Sequence, residues 1–192
     1  MKIGFDFDKV IVDYPPIVPA SFINFCYRYG VVPLGRNSTG FSYRIPGALE
    51  QKLRLLTHFQ LLRPPIKKNI DVIKKINDSS NHKLYLVSGR FSFLRKRTDL
   101  LLESYKLKGY FEKIYFNFDD EQPHKFKERT IRSEKIKIFV DDDIDLIEYL
   151  AKKLPHVSFF WVTTSGKSET RNITPVANLS IFYNKYLKNY GK

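Results

Sequence analysis

The stretch Lys2–Phe7 (KIGFDF), followed directly by Asp8, decides the fold of this 192-residue chain. Its β-branched and aromatic residues favour a strand. Two carboxylates, Asp6 and Asp8, interrupt this apolar run where the strand would end. A buried carboxylate pair without partners costs free energy in desolvation. The stretch is therefore predicted to be a strand that carries a chemically active acidic pair.

Four further apolar runs read as strands, and helical patterns lie between them. The runs are Lys83–Val87 (KLYLV), Lys113–Phe118 (KIYFNF), Lys135–Val140 (KIKIFV) and Val157–Thr163 (VSFFWVT). The helical patterns are Ile66–Ile76, Phe91–Leu107, Pro123–Arg132, Ile144–Leu154 and Val176–Tyr190. This alternation predicts an α/β fold with a parallel sheet flanked by helices, whose strand carboxyl ends meet at one edge.

One segment departs from this alternation. About fifty residues separate the first strand from the helix at Ile66, far more than one crossover needs. They hold helical patterns near Pro19–Tyr29 and Pro46–Leu62, separated by the Pro/Gly/Ser/Thr-rich segment Val31–Gly40. We expect a small helical cap, residues 15–62, inserted into a core of residues 1–14 and 63–192. Above the strand ends, such a cap would act as a lid.

Polar residues follow three of the predicted strands. Ser88, Gly89 and Arg90 follow the second strand, and Asp141–Asp143 follow the fourth. Five acidic residues at one edge would repel one another strongly unless a cation intervened, and Mg²⁺ suits a site of few carboxylates.

This set of residues is suited to phosphoryl transfer. Asp6 could attack phosphorus, and Asp8 could act as the acid and then the base. Ser88 and the amide of Gly89, just before a helix, are suited to bind a phosphoryl oxygen. A lysine is needed to balance the charge, and Pro123-His-Lys-Phe-Lys-Glu offers Lys125 and Lys127.

In these residues the chain resembles the haloacid dehalogenase-like (HAD) hydrolase superfamily. The four matching segments are Asp6-x-Asp8-x-Val10, with Lys9 where glycine is most common, then Ser88, then Lys127 or Lys125, and finally Asp141-Asp142. The resemblance implies a Rossmann-like core, an aspartyl-phosphate mechanism and a bound Mg²⁺.

The resemblance also implies the metal ligands: Asp6, the backbone carbonyl of Asp8, and Asp142, with Asp141 as a supporting group. The aspartate that is often found four residues after that ligand is Leu146 here. Asp145 is an open alternative for the outer metal shell.

Some roles stay open at this level. Lys127 is favoured over Lys125, because it stands 14 residues before Asp141 and Ile131 lies one helical turn further on. Lys125 and Arg90 could contact substrate, and Arg90 could instead pair with a surface carboxylate. Asp143 reads as a helix cap, and His124 as a helix-start residue.

Several segments are most similar to 5′-nucleotidase-type members of the superfamily. They are Leu84–Arg90 (LYLVSGR), Tyr115–Asn117 (YFN), His124–Lys127 (HKFK) and Phe139–Asp143 (FVDDD). The resemblance implies hydrolysis of phosphate monoesters, with a phosphorylated small molecule, namely a nucleotide, as the expected substrate.

Composition limits the setting without identifying the partner. The net charge of +13 suits an anionic substrate, but also suits a lysine-rich surface that keeps the protein in solution. A nucleic-acid end phosphatase and a non-catalytic binding protein are therefore alternatives. The single cysteine, with neither a signal-like start nor a long apolar stretch, predicts a cytoplasmic protein with no membrane partner. The sequence makes no prediction of oligomeric state.

Overall fold

The computed structural model describes residues 1–14, 46–79 and 81–188. This part of the chain contains six strands: β1 Lys2–Phe5, β2 Lys83–Ser88, β3 Lys113–Phe116, β4 Ile138–Asp141, β5 Ser158–Val162 and β6 Ile173–Val176. They form one sheet in the order β3-β2-β1-β4-β5-β6, and all neighbouring strands are parallel. The α/β class predicted from the alternation is confirmed.

Helices connect the strands. They are α1 Ala48–Thr57, α2 Lys67–Asp78, α3 Arg95–Ser104, α4 Pro123–Glu134, α5 Ile144–Lys153 and α6 Leu179–Ile181, which continues as a π-helical segment, Phe182–Leu187. Short 3₁₀ turns lie at Gln60–Leu62, Ser92–Leu94 and Lys108–Tyr110. Within the described ranges, no helix has the length and apolar character that a membrane crossing requires.

The sheet is the middle layer of three, because its strands bury side chains on both faces. In β2, Leu84 and Leu86 join an apolar cluster with residues of α2 and α3. Tyr85 and Val87, which alternate with them, join a second cluster with residues of α4 and α5. Burial on both faces explains why the strands read as nearly continuous apolar runs.

β6 was not predicted. The expected helix Val176–Tyr190 began inside this strand, whereas α6 begins only at Leu179, after Asn178 caps it by accepting from the amide of Ile181 (3.0 Å). Pro175 lies within β6, which pairs only with β5 among the described strands. A proline is tolerated at such an edge, and its presence conceals the strand from sequence patterns.

The parts of the chain that precede and follow residues 15–62 lie next to each other. The amide of Asp13 donates to the carbonyl of Pro64, and the amide of Ile66 donates to the carbonyl of Ile11, both at 2.8 Å. The patterns at Pro19–Tyr29 and Val31–Gly40 lie outside the described residues. The pattern Pro46–Leu62 corresponds to α1 and the 3₁₀ turn that follows it. A cap over residues 15–62 stays a prediction.

Candidate active site

Three adjacent strands bring the predicted residues together at one edge of the sheet. β1 lies between β2 and β4, with Phe5 in register with Leu86 and with Val140. Asp6, Ser88 and Asp141 therefore stand at neighbouring strand ends, and all three are buried. The amide of Asp6 donates to the carbonyl of Val140 (2.9 Å), so the backbone of Asp6 is bound to β4.

Lys127 lies between two of these carboxylates. Its Nζ donates to Asp6 Oδ1 and to Asp141 Oδ2, each at 2.7 Å, and the lysine is buried. Lys125, two residues earlier on α4, is exposed and does not line the cleft. Lys127, and not Lys125, is therefore the residue of this helix that contacts the carboxylates of Asp6 and Asp141.

Gly89 allows α4 to approach closely enough for this contact. A Cβ at Gly89 would lie 2.9 Å from the Cβ of Pro123, the first residue of α4. His124 follows in the first turn of this helix and is buried, so its prediction as a helix-start residue is confirmed.

Burial dominates the electrostatics around Asp6. Burial raises the pKa of Asp6 well above its ordinary value, and the carboxylates of Asp141 and Asp8 add to that effect against the opposing charge of Lys127. Burial alone would lower the pKa of Lys127, but Asp141 and Asp6 outweigh it and hold the pKa above the ordinary value. Lys127 is therefore the fixed positive charge of this group.

Asp8 is held differently, by two arginines. Arg90 donates from Nε to Asp8 Oδ2 (2.8 Å) and from Nη2 to Oδ1 (2.7 Å), and Arg63 donates from Nη1 to Oδ1 (3.2 Å). Burial alone would raise the pKa of Asp8, but Arg90, followed by Arg63, holds it far below its usual range. Arg90 is itself buried and also donates to Thr98 Oγ1 (3.1 Å). Arg90 thus pairs with a carboxylate of the site, not with one on the surface.

His58 supports Arg63 from the other side. His58 Nδ1 lies 2.7 Å from the carbonyl oxygen of Arg54, and Nε2 lies 3.2 Å from Arg63 Nη2. A carbonyl only accepts and a guanidinium only donates, so Nδ1 carries the hydrogen and the ring is neutral. Burial, with the charges of Arg90 and Arg63, lowers the pKa of His58 well below its ordinary value.

Sequence reasoning missed both Arg63 and His58 as site residues. They lie 55 and 50 positions from Asp8 along the chain, before α2, and belong to no recognisable motif. The one feature of the sequence that could have indicated a site residue here is the positive charge of Arg63, directly before Pro64, whose carbonyl accepts from the amide of Asp13 after β1.

The loop after β4 is tightly organised. Asp141 Oδ1 accepts from the amides of Asp142 (2.8 Å) and Asp143 (3.1 Å). Asp143 caps α5 by accepting from the amides of Asp145 (3.1 Å) and Leu146 (3.3 Å), which confirms its prediction as a helix cap. Trp161 Nε1 donates to the carbonyl of Asp142 (3.0 Å), so a residue of β5 also fixes this loop.

The carboxylates fit a hard divalent cation. Among the described residues, the acidic group whose ligand oxygens all lie within 4.8 Å of one another consists of Asp6, Asp141 and Asp142. Burial and the neighbouring Asp141 raise the pKa of Asp142 to about 7. The crowded carboxylates repel one another in their ionised form, and a bound Mg²⁺ would offset this repulsion. Asp145 is not a member of this group. Lys9, which the sequence did not indicate as a site residue, contacts Asp142 (Nζ to Oδ2, 3.1 Å).

A cleft of about 220 Å³ opens above these groups. Its polar lining includes the residues at the strand ends, together with Arg54 and His58 from α1 and the turn after it. Its apolar lining consists of Phe91, Leu94, Pro123 and Leu146. Residues of α1 and of the turn after it therefore line the cleft together with the residues at the strand ends.

Comparison with known proteins supports the fold. No protein-family model matches the chain, and no curated protein matches its sequence. Solved structures do match: a haloacid dehalogenase-like family hydrolase from Streptococcus pneumoniae has a TM-score of 0.55 at 11% identity, covering 94% of this chain and 96% of that one. A HAD-superfamily hydrolase from Ehrlichia chaffeensis has a TM-score of 0.55 at 13% identity, covering 95% and 94%.

A third match was solved with ligands. A HAD family enzyme from Bacteroides thetaiotaomicron, an aspartate-to-alanine mutant in complex with magnesium and inorganic phosphate, has a TM-score of 0.54 at 10% identity. It covers 88% of this chain and 96% of its own. At these identities the likeness establishes the HAD-like, Rossmann-type fold, while the chemistry must be argued from this chain's own residues.

Proposed function

We propose that this protein is a Mg²⁺-dependent phosphohydrolase that cleaves phosphate monoesters through an aspartyl-phosphate on Asp6. The observation that carries the proposal is the contact of Lys127 with both Asp6 and Asp141 beneath the cleft. A lysine shared by two buried carboxylates leaves Asp6 at the cleft floor with a defined orientation. A cytoplasmic setting and a phosphorylated small-molecule substrate are parts of the same proposal.

In the first half-reaction, an Asp6 oxygen attacks phosphorus while the bond to the leaving oxygen breaks. Lys127 orients Asp6 through Oδ1 and offsets charge as the phosphoryl group approaches. Ser88 Oγ and the Gly89 amide are the donors for the phosphoryl oxygens. Asp6, Asp142 and the backbone of Asp8 are the residues that would hold Mg²⁺, with Asp141 in support. When bound, the metal would offset negative charge on the phosphoryl oxygens.

In the second half-reaction, water attacks the phosphorus of the aspartyl-phosphate and restores the Asp6 carboxylate. Asp8 takes the proton that this water loses. Its two guanidinium partners keep it ionised, which is the form that a base requires. In the first half-reaction Asp8 gives up one of these hydrogen bonds, carries a proton and donates it to the leaving oxygen as the bond to phosphorus breaks, which restores the ionised form that then accepts the proton of water.

The resemblance of four segments to 5′-nucleotidases makes nucleoside monophosphates the first substrates to test. Arg54 also lines the cleft and is a candidate to contact the part of the substrate beyond the phosphate. Specificity would then depend on the end of the inserted segment.

The test is a phosphate-release assay over nucleoside monophosphates, sugar phosphates and an aryl phosphate, with Mg²⁺ and with a chelator in excess. We expect Mg²⁺-dependent release, with the highest kcat/KM for a nucleotide. If no member of the panel releases phosphate, the proposed hydrolase activity is wrong. If sugar phosphates react best, the hydrolase stands and the nucleotide assignment fails.

The net charge of +13 favours a second candidate, a phosphatase acting on nucleic-acid ends. A phosphorylated oligonucleotide would then be hydrolysed better than the corresponding mononucleotide. Its KM would rise steeply with salt, because phosphate contacts release counterions. A KM that is independent of salt would exclude this candidate.

A further inference from the structure

Lys9 follows the acidic pair directly and has a left-handed backbone conformation, with φ of 56°. Its amide donates to the carbonyl of Val12 (2.6 Å) and closes a turn after β1. Glycine adopts this conformation without steric strain, whereas lysine does not. The backbone of this turn therefore gives no reason for a lysine side chain.

Backbone conformation alone does not single out Lys9. Lys106 and Lys135 are also left-handed, but both lie at helix ends with exposed side chains. Lys9 is half-buried, and its ammonium group contacts Asp142, which lines the cleft. The position of its charge, not its backbone, distinguishes it.

The Lys9 ammonium contacts a carboxylate of the proposed metal site. Nζ lies 3.1 Å from Asp142 Oδ2 and 4.5 Å from the centre of the Tyr14 ring. An Asp142 oxygen lies within 4.8 Å of ligand oxygens of Asp6 and Asp141. A divalent cation bound by these three oxygens would stand close to the ammonium group, and the two positive charges would repel each other.

Each carboxylate proposed to act in the site is paired with a positive charge, and the contact with Lys9 provides this charge for Asp142. Four carboxylates, Asp6, Asp8, Asp141 and Asp142, are each in direct contact with a cationic side chain. Among the described residues, the cations that make these contacts are Lys9, Arg63, Arg90 and Lys127. Lys127 and the arginines contact Asp6, Asp8 and Asp141, so Lys9 supplies the charge at Asp142.

We propose that Lys9 is a resident cation of the metal site, which holds Asp142 in the metal-free protein and must leave it when Mg²⁺ binds. The inference rests on the proposed function only for the identity of the metal. Mg²⁺ affinity is then weaker than the three carboxylates alone would give. Removing the charge of Lys9 strengthens binding, and keeping a charge there does not.

The test is isothermal titration of the full-length protein with MgCl₂ alone, at constant ionic strength and without substrate. Lys9→Met removes the charge and keeps the side-chain length, and Lys9→Gly also suits the left-handed backbone, so one variant remains informative if the other folds poorly. Lys9→Arg keeps the charge. Lys125→Met is the matched control, since it removes an exposed lysine that does not line the cleft.

We expect Lys9→Met and Lys9→Gly to lower the Kd for Mg²⁺ by about tenfold, with Lys9→Arg and Lys125→Met close to wild type. Unchanged or weaker binding in both uncharged variants would overturn the role of Lys9 and leave the proposed hydrolase intact. Equal tightening in Lys125→Met would also overturn it, because the effect would then come from overall charge. If neither wild type nor any variant binds Mg²⁺, both this inference and the proposed metal dependence fail.

Discussion

Asp6 and Asp8 lie two residues apart at the end of one strand, yet their surroundings are opposite in character. Asp6 is buried with one lysine that it shares with Asp141, and its pKa is raised. Asp8 is clamped by two arginines, and its pKa is lowered. A short acidic motif therefore does not assign the roles of its two carboxylates by itself. Residues 55 and 82 positions from Asp8, Arg63 and Arg90, set its charge state.

The largest effect is expected from removing the proposed nucleophile, Asp6. Asp6→Asn keeps the size of the side chain but cannot form an aspartyl-phosphate, so we expect aryl phosphate turnover to fall by roughly 10⁴-fold or more. Steady-state hydrolysis at saturating Mg²⁺ measures this. Circular dichroism checks that the variant is folded, and a folded variant with turnover within tenfold of wild type would contradict the assignment.

The lysine between the carboxylates offers the next test. Lys127→Met leaves Asp6 and Asp141 buried without their cation, so we expect a loss of about 3 kcal/mol in the free energy of unfolding at pH 8. Without the lysine, both carboxyl groups retain protons to higher pH in the folded state than in the unfolded state. The loss should therefore be smaller at pH 5.5, where protonation relieves the repulsion.

Urea denaturation at the two pH values measures this, with Lys125→Met as the control. The exposed Lys125 should change stability by no more than about 0.5 kcal/mol at either pH. Equal effects of the two substitutions would show that Lys127 does not carry the charge balance of the site.

The arginine clamp can be loosened selectively. Arg63→Met leaves Arg90 on Asp8 but removes one charge that lowers the pKa of Asp8, so Asp8 holds a proton more readily. Alkyl phosphates need this proton for their leaving group, and aryl phosphates need it far less. We expect the alkyl-to-aryl ratio of kcat values to rise roughly tenfold.

Arg54→Met is the control for that substitution, because Arg54 lines the cleft but pairs with Glu50 (Nη2 to Oε1, 2.7 Å). Arg63→Lys should restore part of the original ratio. A ratio that rises equally in Arg54→Met would mean that cleft charge, and not the clamp, controls the leaving group.

The smallest effect is expected from His58. Its pKa in the folded protein is depressed below the ordinary value of about 6.5, so the unfolded chain binds a proton first as pH falls. Stability should therefore decrease as pH drops through about 6.5, and His58→Gln should reduce this slope. Thermal unfolding between pH 8 and 5 measures it, and an unchanged slope in the variant would contradict a buried neutral His58.

The sequence predicted well where chemistry and pattern coincide. The apolar runs located β1 to β5, and the polar residues after them met at one edge because parallel strands end together. Lys127 could be favoured from its spacing and from Ile131, which is buried one turn along α4. These features depend on local pattern and on general rules of the fold.

The parts that failed depend on long-range geometry. β6 escaped prediction because its four residues include Pro175 and because it pairs only at the sheet edge. Arg63 and His58 carry no pattern that points to Asp8, and the contact forms only when the inserted segment returns to the core. Arg90 was predicted either to contact substrate or to pair with a surface carboxylate, and its bond to Asp8 of the site was not foreseen because it joins residues 82 positions apart.

The most direct test of the account is detection of the phosphoryl group on Asp6. The Asp8→Asn variant, which lacks the base for the second half-reaction, is mixed with ³²P-labelled aryl phosphate and Mg²⁺, quenched in acid within milliseconds to seconds, digested, and analysed by mass spectrometry. The account predicts a labelled peptide that contains Asp6. The label should be absent without Mg²⁺ and absent in a double variant that carries both Asp8→Asn and Asp6→Asn. Phosphate release with no covalent label at any time, or a label on another residue, would contradict it.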